Sequence, residues 1–168
     1  MASPPLPTDP ITEAHRQWVA HGWGAAADGM AAVTSIMRAQ QIMQARVDQV
    51  LRPHGVTFAR YELLMLLLFS RRGALPINRT SARLQVHPTS MTNAIDRLEG
   101  AGLVERQPHP TDRRITLVAI TDAGRKLALA ATVDLNAAVF EQPDLSDRQL
   151  AALVASITEL RRRAGDFA

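Results

Sequence analysis

At 168 residues the chain is long enough for one domain with a sizeable core, and its lack of cysteine excludes disulfides, thiolate metal sites and cysteine redox sensing. Its longest wholly apolar run, Leu63 to Phe69, is far too short to cross a bilayer, and MASPPLPTDP lacks the charged and apolar regions of a signal peptide, so a cytoplasmic protein with no membrane contact is expected. The net charge is only +3, but residues 71–114 hold eight arginines (71, 72, 79, 83, 97, 106, 113, 114) against four acids (96, 99, 105, 112). Positive charge concentrated in one segment fits a nucleic-acid footprint; a solvated arginine face is the plainer reading of the same charges.

Residues 1–10 contain four prolines and read as an arm, followed by a short amphipathic helix over 11–23 that carries both tryptophans and is broken by Gly22 and Gly24. A long helix is predicted over 29–53, with Met30, Val33, Met37, Met43, Val47 and Val50 at helical spacing. Met30, Met37, Met43 and Met65 read as adaptable core, or as Met-rich walls suited to a pocket for varied ligands. Thr57 is placed to cap the next helix, FARYELLMLLLFSRR, whose apolar run makes it the central helix. A short helix starts at Leu75-Pro76, with Ile77, Ala82 and Leu84 facing inward. Gln85-Val86-His87 makes a turn, and Pro88 opens a helix to about Gly100 with Met91, Ile95 and Leu98 as its buried stripe. Two helices joined by so short a turn are a helix-turn-helix.

Leu103 to Arg106 and Ile115 to Ile120 read as strands joined by the polar loop 107–114, a hairpin wing. Thr121 caps a long alanine-rich helix reaching about Phe140, which Pro143 ends. Ser146-Asp147-Arg148-Gln149 fits a capping box for a final helix with Leu150, Leu153, Val154, Ile157 and Leu160 on one face. Arg161-Arg162-Arg163 at its end either opposes the helix dipole or forms a second DNA patch. The fold expected is mainly α with a small β-hairpin wing: a winged helix-turn-helix DNA-binding lobe plus a helical dimerisation region.

On the helix that follows the turn, Thr89, Ser90, Asn93 and Arg97 lie off the apolar stripe. Hydroxyls and an amide near a helix N-terminus suit phosphates and base edges; an amide pairs with adenine and an arginine with guanine. His87 and Pro88 begin the helix, His87 as a cap or turn residue or as a base reader. The apolar faces of residues 30–51 and 150–160 exceed what one small core needs, which points to a homodimer. The five histidines (15, 21, 54, 87, 109) form no HExxH-like pair, and no Gly-rich phosphate loop or nucleophile elbow is present. No enzyme, metal or cofactor is expected.

Asp96-Arg97-Leu98-Glu99, Gly102-Leu103-Val104-Glu105-Arg106, Asp112-Arg113-Arg114 and Thr121-Asp122-Ala123-Gly124, in this order and spacing, resemble the MarR family of bacterial transcriptional regulators over about residues 29–163. The resemblance implies a repressor that binds palindromic double-stranded operators as a dimer and is released by a small molecule, aromatic or anionic in chemistry. It divides the chain into an arm with a short helix (1–28), a dimerisation region (29–56 and 121–168) and a DNA-binding lobe (57–120). It also implies that Arg114 enters the minor groove, oriented by Asp112, with Arg113 near phosphate; Asp112 forming an Asx turn is the local alternative, and the two are compatible. The segment INRTSARL is less apolar than the family pattern, and Pro76 is unusual there. Trp18 resembles a helix tryptophan of the urate-responsive subgroup, and Glu62 stands where that subgroup has an aspartate. The subgroup's recognition-helix arginine is replaced by Ala94, so urate itself is not expected. Trp18, Tyr61, Glu62 and Met65 are the candidate walls of an effector pocket, or ordinary core. A constitutive DNA-binding or architectural protein without an effector is the alternative function.

Overall fold

The computed structural model describes residues 6–112 and 114–167. The chain divides into two compact units, Met1–Arg46 and Val47–Ala168. In the first, helix α1 (Pro10–Ala20) starts earlier than the prolines suggested, because Asp9 caps it. The Asp9 carboxylate accepts from the Ile11 and Thr12 N–H groups and the Thr12 hydroxyl, with Pro10 at the first helical position, where its missing N–H costs nothing. The hydroxyl of Thr12 first, then the Ile11 amide, holds the Asp9 carboxyl below its ordinary pKa. Helix α2 (Gly24–Leu51) begins five residues before the expected start, and its last turn belongs to the second unit. Val33, Met37 and Met43 on α2 are exposed, so these positions are not core of the single chain.

The second unit is built around α3 (Phe58–Phe69), whose Leu63, Leu64 and Leu67 are completely buried. Around it pack α4 (Ile77–Leu84), α5 (Pro88–Gly100), α6 (Asp122–Leu135) and a three-stranded antiparallel sheet. The sheet order is β1 (Ala74–Pro76), β3 (Thr116–Ile120), β2 (Val104–Pro108), with Leu75 opposite Val118 and Arg106 opposite the same residue on the other side. Ala74 to Pro76 thus form a strand where a helix start was expected. Proline is tolerated there because β1 is an edge strand and Pro76 is its last residue. Helix α4 consequently begins at Ile77, and its inward face falls at 77, 80 and 84. Ala82 is exposed, and Thr80 is the buried residue, its hydroxyl donating to the Ile77 carbonyl at 2.6 Å. This bond explains how so polar a helix packs on a core: the buried hydroxyl is satisfied within its own turn.

The Thr57 position does cap α3, through its backbone carbonyl rather than its side chain. Helix α6 runs on to Phe140 through one π-turn, closed by the Glu141 N–H to the Asn136 carbonyl. Helix α7 (Asp147–Arg163) starts at Ser146, where the Gln149 side-chain oxygen accepts from both the N–H and the hydroxyl of Ser146. Its Leu150, Leu153, Val154 and Leu160 are exposed, as are Leu129 and Val133 on α6. Among the described residues no helix is long and apolar enough to cross a membrane.

Candidate nucleic-acid interface

Three elements meet at one surface of the second unit: the turn between α4 and α5, the outer face of α5, and the hairpin of β2 and β3. The anchor is the apolar stripe of α5. Met91, Ile95 and Leu98 are each at most 1% exposed, and burying three such side chains contributes on the order of 5 kcal/mol or more. With that side committed to the core, Thr89, Ser90, Asn93 and Arg97 are exposed on the other. His87 is the N-cap: its Nδ1 accepts from the Thr89 N–H at 3.3 Å, and Pro88 follows at the first helical position. The imidazole thus does the job of a cap. The positive end of the α5 dipole at this point favours an anion such as phosphate.

Two grooves flank α5. One, of about 630 Å³, lies between α5 and the start of α3, lined by Thr57, Arg60, Ser90, Asn93, Asp96 and Arg97 among others. The other, of about 500 Å³, lies between α4, α5 and the wing, where Asn78, Ser81 and Thr92 face Arg114 and Thr116. Arg60, Asn78 and Ser81 were not singled out from the sequence. They line these grooves because the start of α3 and the outer side of α4 lie beside α5, and helical periodicity alone carries no signal for that.

The wing is tied to α5 by an arginine buckle. The Arg106 side chain, on β2, donates to Asp96 Oδ1 at 2.5 Å and to Glu99, while its backbone N–H donates to Glu99 Oε1 at 3.0 Å. Hydrogen bonding to Asp96 is the largest influence raising the pKa of Arg106. Both carboxylates stand on the helix three residues apart, so one guanidinium bridges them and fixes the hairpin against α5. The sequence segment 96–106 holds these charges, but only the helix–turn–strand geometry shows that they pair.

At the wing tip Asp112 does two things at once. Its Oδ1 accepts from the Arg114 backbone N–H at 3.0 Å, an Asx turn, and its two oxygens accept from Arg114 Nε and Nη2 at 3.1 and 3.2 Å. The guanidinium hydrogen bond first, then the backbone one, lowers the Asp112 pKa below its ordinary 3.8. The Arg114 side chain is 90% exposed, so a held cation projects from the hairpin. Arg113 lies outside the described residues. The arginine triplet on α7 is engaged within its own helix end: Arg161 with Asp166, Arg162 and Arg163 with Glu159.

The four candidate wall residues fall in different settings. Trp18 is half-buried in the first unit and meets Trp23 edge-on, with ring centroids 5.5 Å apart. In the second unit Tyr61 is buried, its hydroxyl 2.9 Å from the Thr132 hydroxyl, which also lies 3.4 Å from the Met65 sulfur. Glu62 is half-buried, and burial raises its pKa above 4.5. Among the described residues no cluster of histidine and carboxylate groups is arranged to hold a metal ion.

Comparison with known proteins places this geometry. Residues 58–116 match the model of the MarR family. YhbI, an HTH-type transcriptional regulator of Bacillus subtilis, is 30% identical over 118 residues, covering 68% of this chain and 75% of that protein. The crystal structure of Sco5413, a MarR family transcriptional regulator from Streptomyces coelicolor, superposes with a TM-score of 0.76 at 49% identity, covering 83% of this chain and 97% of that one. CouR from Rhodococcus jostii RHA1, solved with p-coumaroyl-CoA, superposes with a TM-score of 0.63 at 26% identity over 74% of this chain and 87% of its own. The transcriptional repressor CouR bound to a 23-mer DNA duplex shares the fold at a TM-score of 0.70 and 23% identity, over 75% and 89%. A polar helix face beside an arginine-tipped hairpin, on a chain with these relatives, belongs to a DNA-binding transcriptional regulator of the MarR family with the winged helix-turn-helix fold.

Proposed function

We propose that the protein is a homodimeric repressor that binds a palindromic operator in the cytoplasm and leaves it on binding a small aromatic or anionic effector. The observation that carries the DNA reading is the division of α5 into a fully buried apolar stripe and an exposed polar face beside Asp112-held Arg114. Thr89, Ser90, Asn93 and Arg97 read the major groove, with His87 and Pro88 setting the start of the helix. Arg114 enters the adjacent minor groove, where a narrow A·T-rich tract concentrates negative potential. One helix and one hairpin contact too few bases for a useful specificity ratio, and a two-fold axis doubles them. Exposed Leu129, Val133, Leu153 and Val154 on α6 and α7, with Val33 and Met37 on α2, supply apolar surface for that dimer.

Effector release draws on CouR, whose structure contains p-coumaroyl-CoA. Tyr61, Glu62 and Met65 are the residues of the second unit that we assign to the effector; Trp18, in the first unit, stands as a separate candidate. A second reading, a constitutive DNA-binding protein without effector, is favoured by one observation: the Tyr61 hydroxyl and the Met65 sulfur already have a partner in Thr132.

The test starts from a randomised duplex pool from which the full chain selects its binding sites. Two protected half-sites about one DNA turn apart are expected in footprints, with a two-chain mass in light scattering. A monomer at micromolar concentration, or a footprint without a dyad, refutes the operator reading. Aryl acids and aryl-CoA thioesters are then titrated against the complex; if none releases the selected duplex, the constitutive reading stands.

A further inference from the structure

The C-terminal end of α7 is a built hook. Gly165 adopts φ +75°, a left-handed conformation open to glycine, and closes the helix: its N–H bonds the Arg162 carbonyl at 3.0 Å and the Asp166 N–H bonds the Arg161 carbonyl at 3.1 Å. Arg161 then holds the returning chain from two sides. Its Nε donates to Asp166 Oδ2 at 2.6 Å, and its guanidinium carbon lies 5.2 Å from the centre of the Phe167 ring. So fixed, the Asp166 carbonyl accepts from Gln85 Nε2 at 2.8 Å. Gln85 is the left-handed residue of the turn between α4 and α5, at φ +53°. Glycine would adopt that conformation without cost, whereas glutamine is strained there. The side chain is what glycine would lack, and it reaches the backbone just past the end of α7.

We propose that Gln85 and the hook Gly165–Phe167 are positioning residues for DNA recognition: they fix the helix-turn-helix turn, three residues before the first residue of α5, to the end of α7. The strain at Gln85 is retained because its amide makes this connection. Any packing on the exposed face of α7 is thereby felt at the start of α5. This rests on the reading of α5 as the DNA-contacting helix.

The test uses the full chain and the duplex selected by the wild-type protein. Gln85→Gly removes both the strain and the link; Arg161→Ala unfastens the hook without touching the turn; Arg161→Lys keeps a cation for Asp166. For Gln85→Gly an unchanged or higher melting temperature is expected, with faster amide exchange across residues 81–91 in the DNA-free protein and roughly fivefold weaker binding. Arg161→Ala should reproduce the faster exchange and weaker binding, and Arg161→Lys should restore part of both. A purely structural role would lower the melting temperature of Gln85→Gly instead. Unchanged exchange across 81–91 in both Gln85→Gly and Arg161→Ala would overturn the proposal. So would faster exchange with unchanged affinity, if Asn93→Ala in parallel does weaken or relax binding. Should Asn93→Ala also leave binding and preference intact, the reading of α5 fails, and faster exchange at 81–91 still supports the hook.

Discussion

Gly124 is the position at which one added methyl group has the sharpest consequence. It lies in the first turn of α6, where the Thr121 hydroxyl accepts from its N–H at 3.1 Å and donates to the Gly102 carbonyl at 2.7 Å. A Cβ built on Gly124 would stand 2.1 Å from the Leu103 carbonyl oxygen and 2.9 Å from Ile120 Cγ1. The oxygen cannot swing away cheaply: it accepts from the Thr121 N–H at 3.1 Å, while the Leu103 N–H donates to the Leu98 carbonyl at 2.9 Å. Gly124→Ala must therefore move the base of the wing relative to α6 by roughly 1 Å to reach van der Waals separation. Overpacking of this kind costs about 1–3 kcal/mol, at the upper end where backbone is the obstacle. The gain in helix propensity, up to about 1 kcal/mol, offsets part of it. A net loss of about 1–2 kcal/mol lowers the melting temperature by roughly 2–8 °C for a chain of this size. The comparison variant is Gly100→Ala, at the end of α5, where an added Cβ meets nothing within 4 Å and φ is not positive; it should be neutral or stabilising by up to about 1 kcal/mol. Thermal and urea melts at matched protein concentration decide the matter. A Gly124→Ala variant as stable as the wild type would refute the close-approach argument.

Three further outcomes are expected. Arg106→Met keeps the aliphatic stem but removes the buckle; with all three side chains partly exposed the stability loss should be about 1 kcal/mol or less, while binding to the selected duplex falls by more than that loss accounts for, and equal affinity would show that α5 and the wing need no tie. Arg114→Ala should weaken binding and reduce the slope of log affinity against log salt by about 1, and a slope identical to wild type would remove Arg114 from the DNA contacts. Glu62 has a folded-state pKa raised by burial, so the folded chain binds its proton more tightly than the unfolded one, and stability declines as pH rises from about the ordinary value of 4.5 through the folded pKa. Glu62→Gln should accordingly raise the melting temperature at pH 7 more than at pH 4; an equal shift at both pH values would contradict this.

What could be read from the residues alone was local. The α5 stripe was legible because Met91, Ile95 and Leu98 recur at helical spacing, and the polar face follows from the same period. The Asx turn at Asp112 was legible because it closes within one turn, and so was the reach of Gln149 back to Ser146; the hold of Asp112 on the Arg114 side chain was expected only from the family resemblance. The exposed apolar residues of α2 and α7 were visible as a surplus, but helical spacing alone does not tell that Met37 and Met43 are exposed and not core. Tertiary structure decided whatever depended on partners distant in sequence. Ala74 to Pro76 form a strand because β3 lies beside them, forty residues on, and nothing in three residues with a proline announces it. That strand delays α4 to Ile77; Thr80 inward and Ala82 outward then follow from the helical period, with Ile77 and Leu84 on the same face. Arg106 pairs with Asp96 and Glu99 only once the hairpin folds back along α5, and Gln85 meets Asp166 only because α7 ends beside the turn. Hydrophobic period and turn chemistry act over a few residues and are written directly in their order. Strand partners, close backbone approaches and long-range hydrogen bonds arise from the packing of whole elements, so they exist only in the assembled fold.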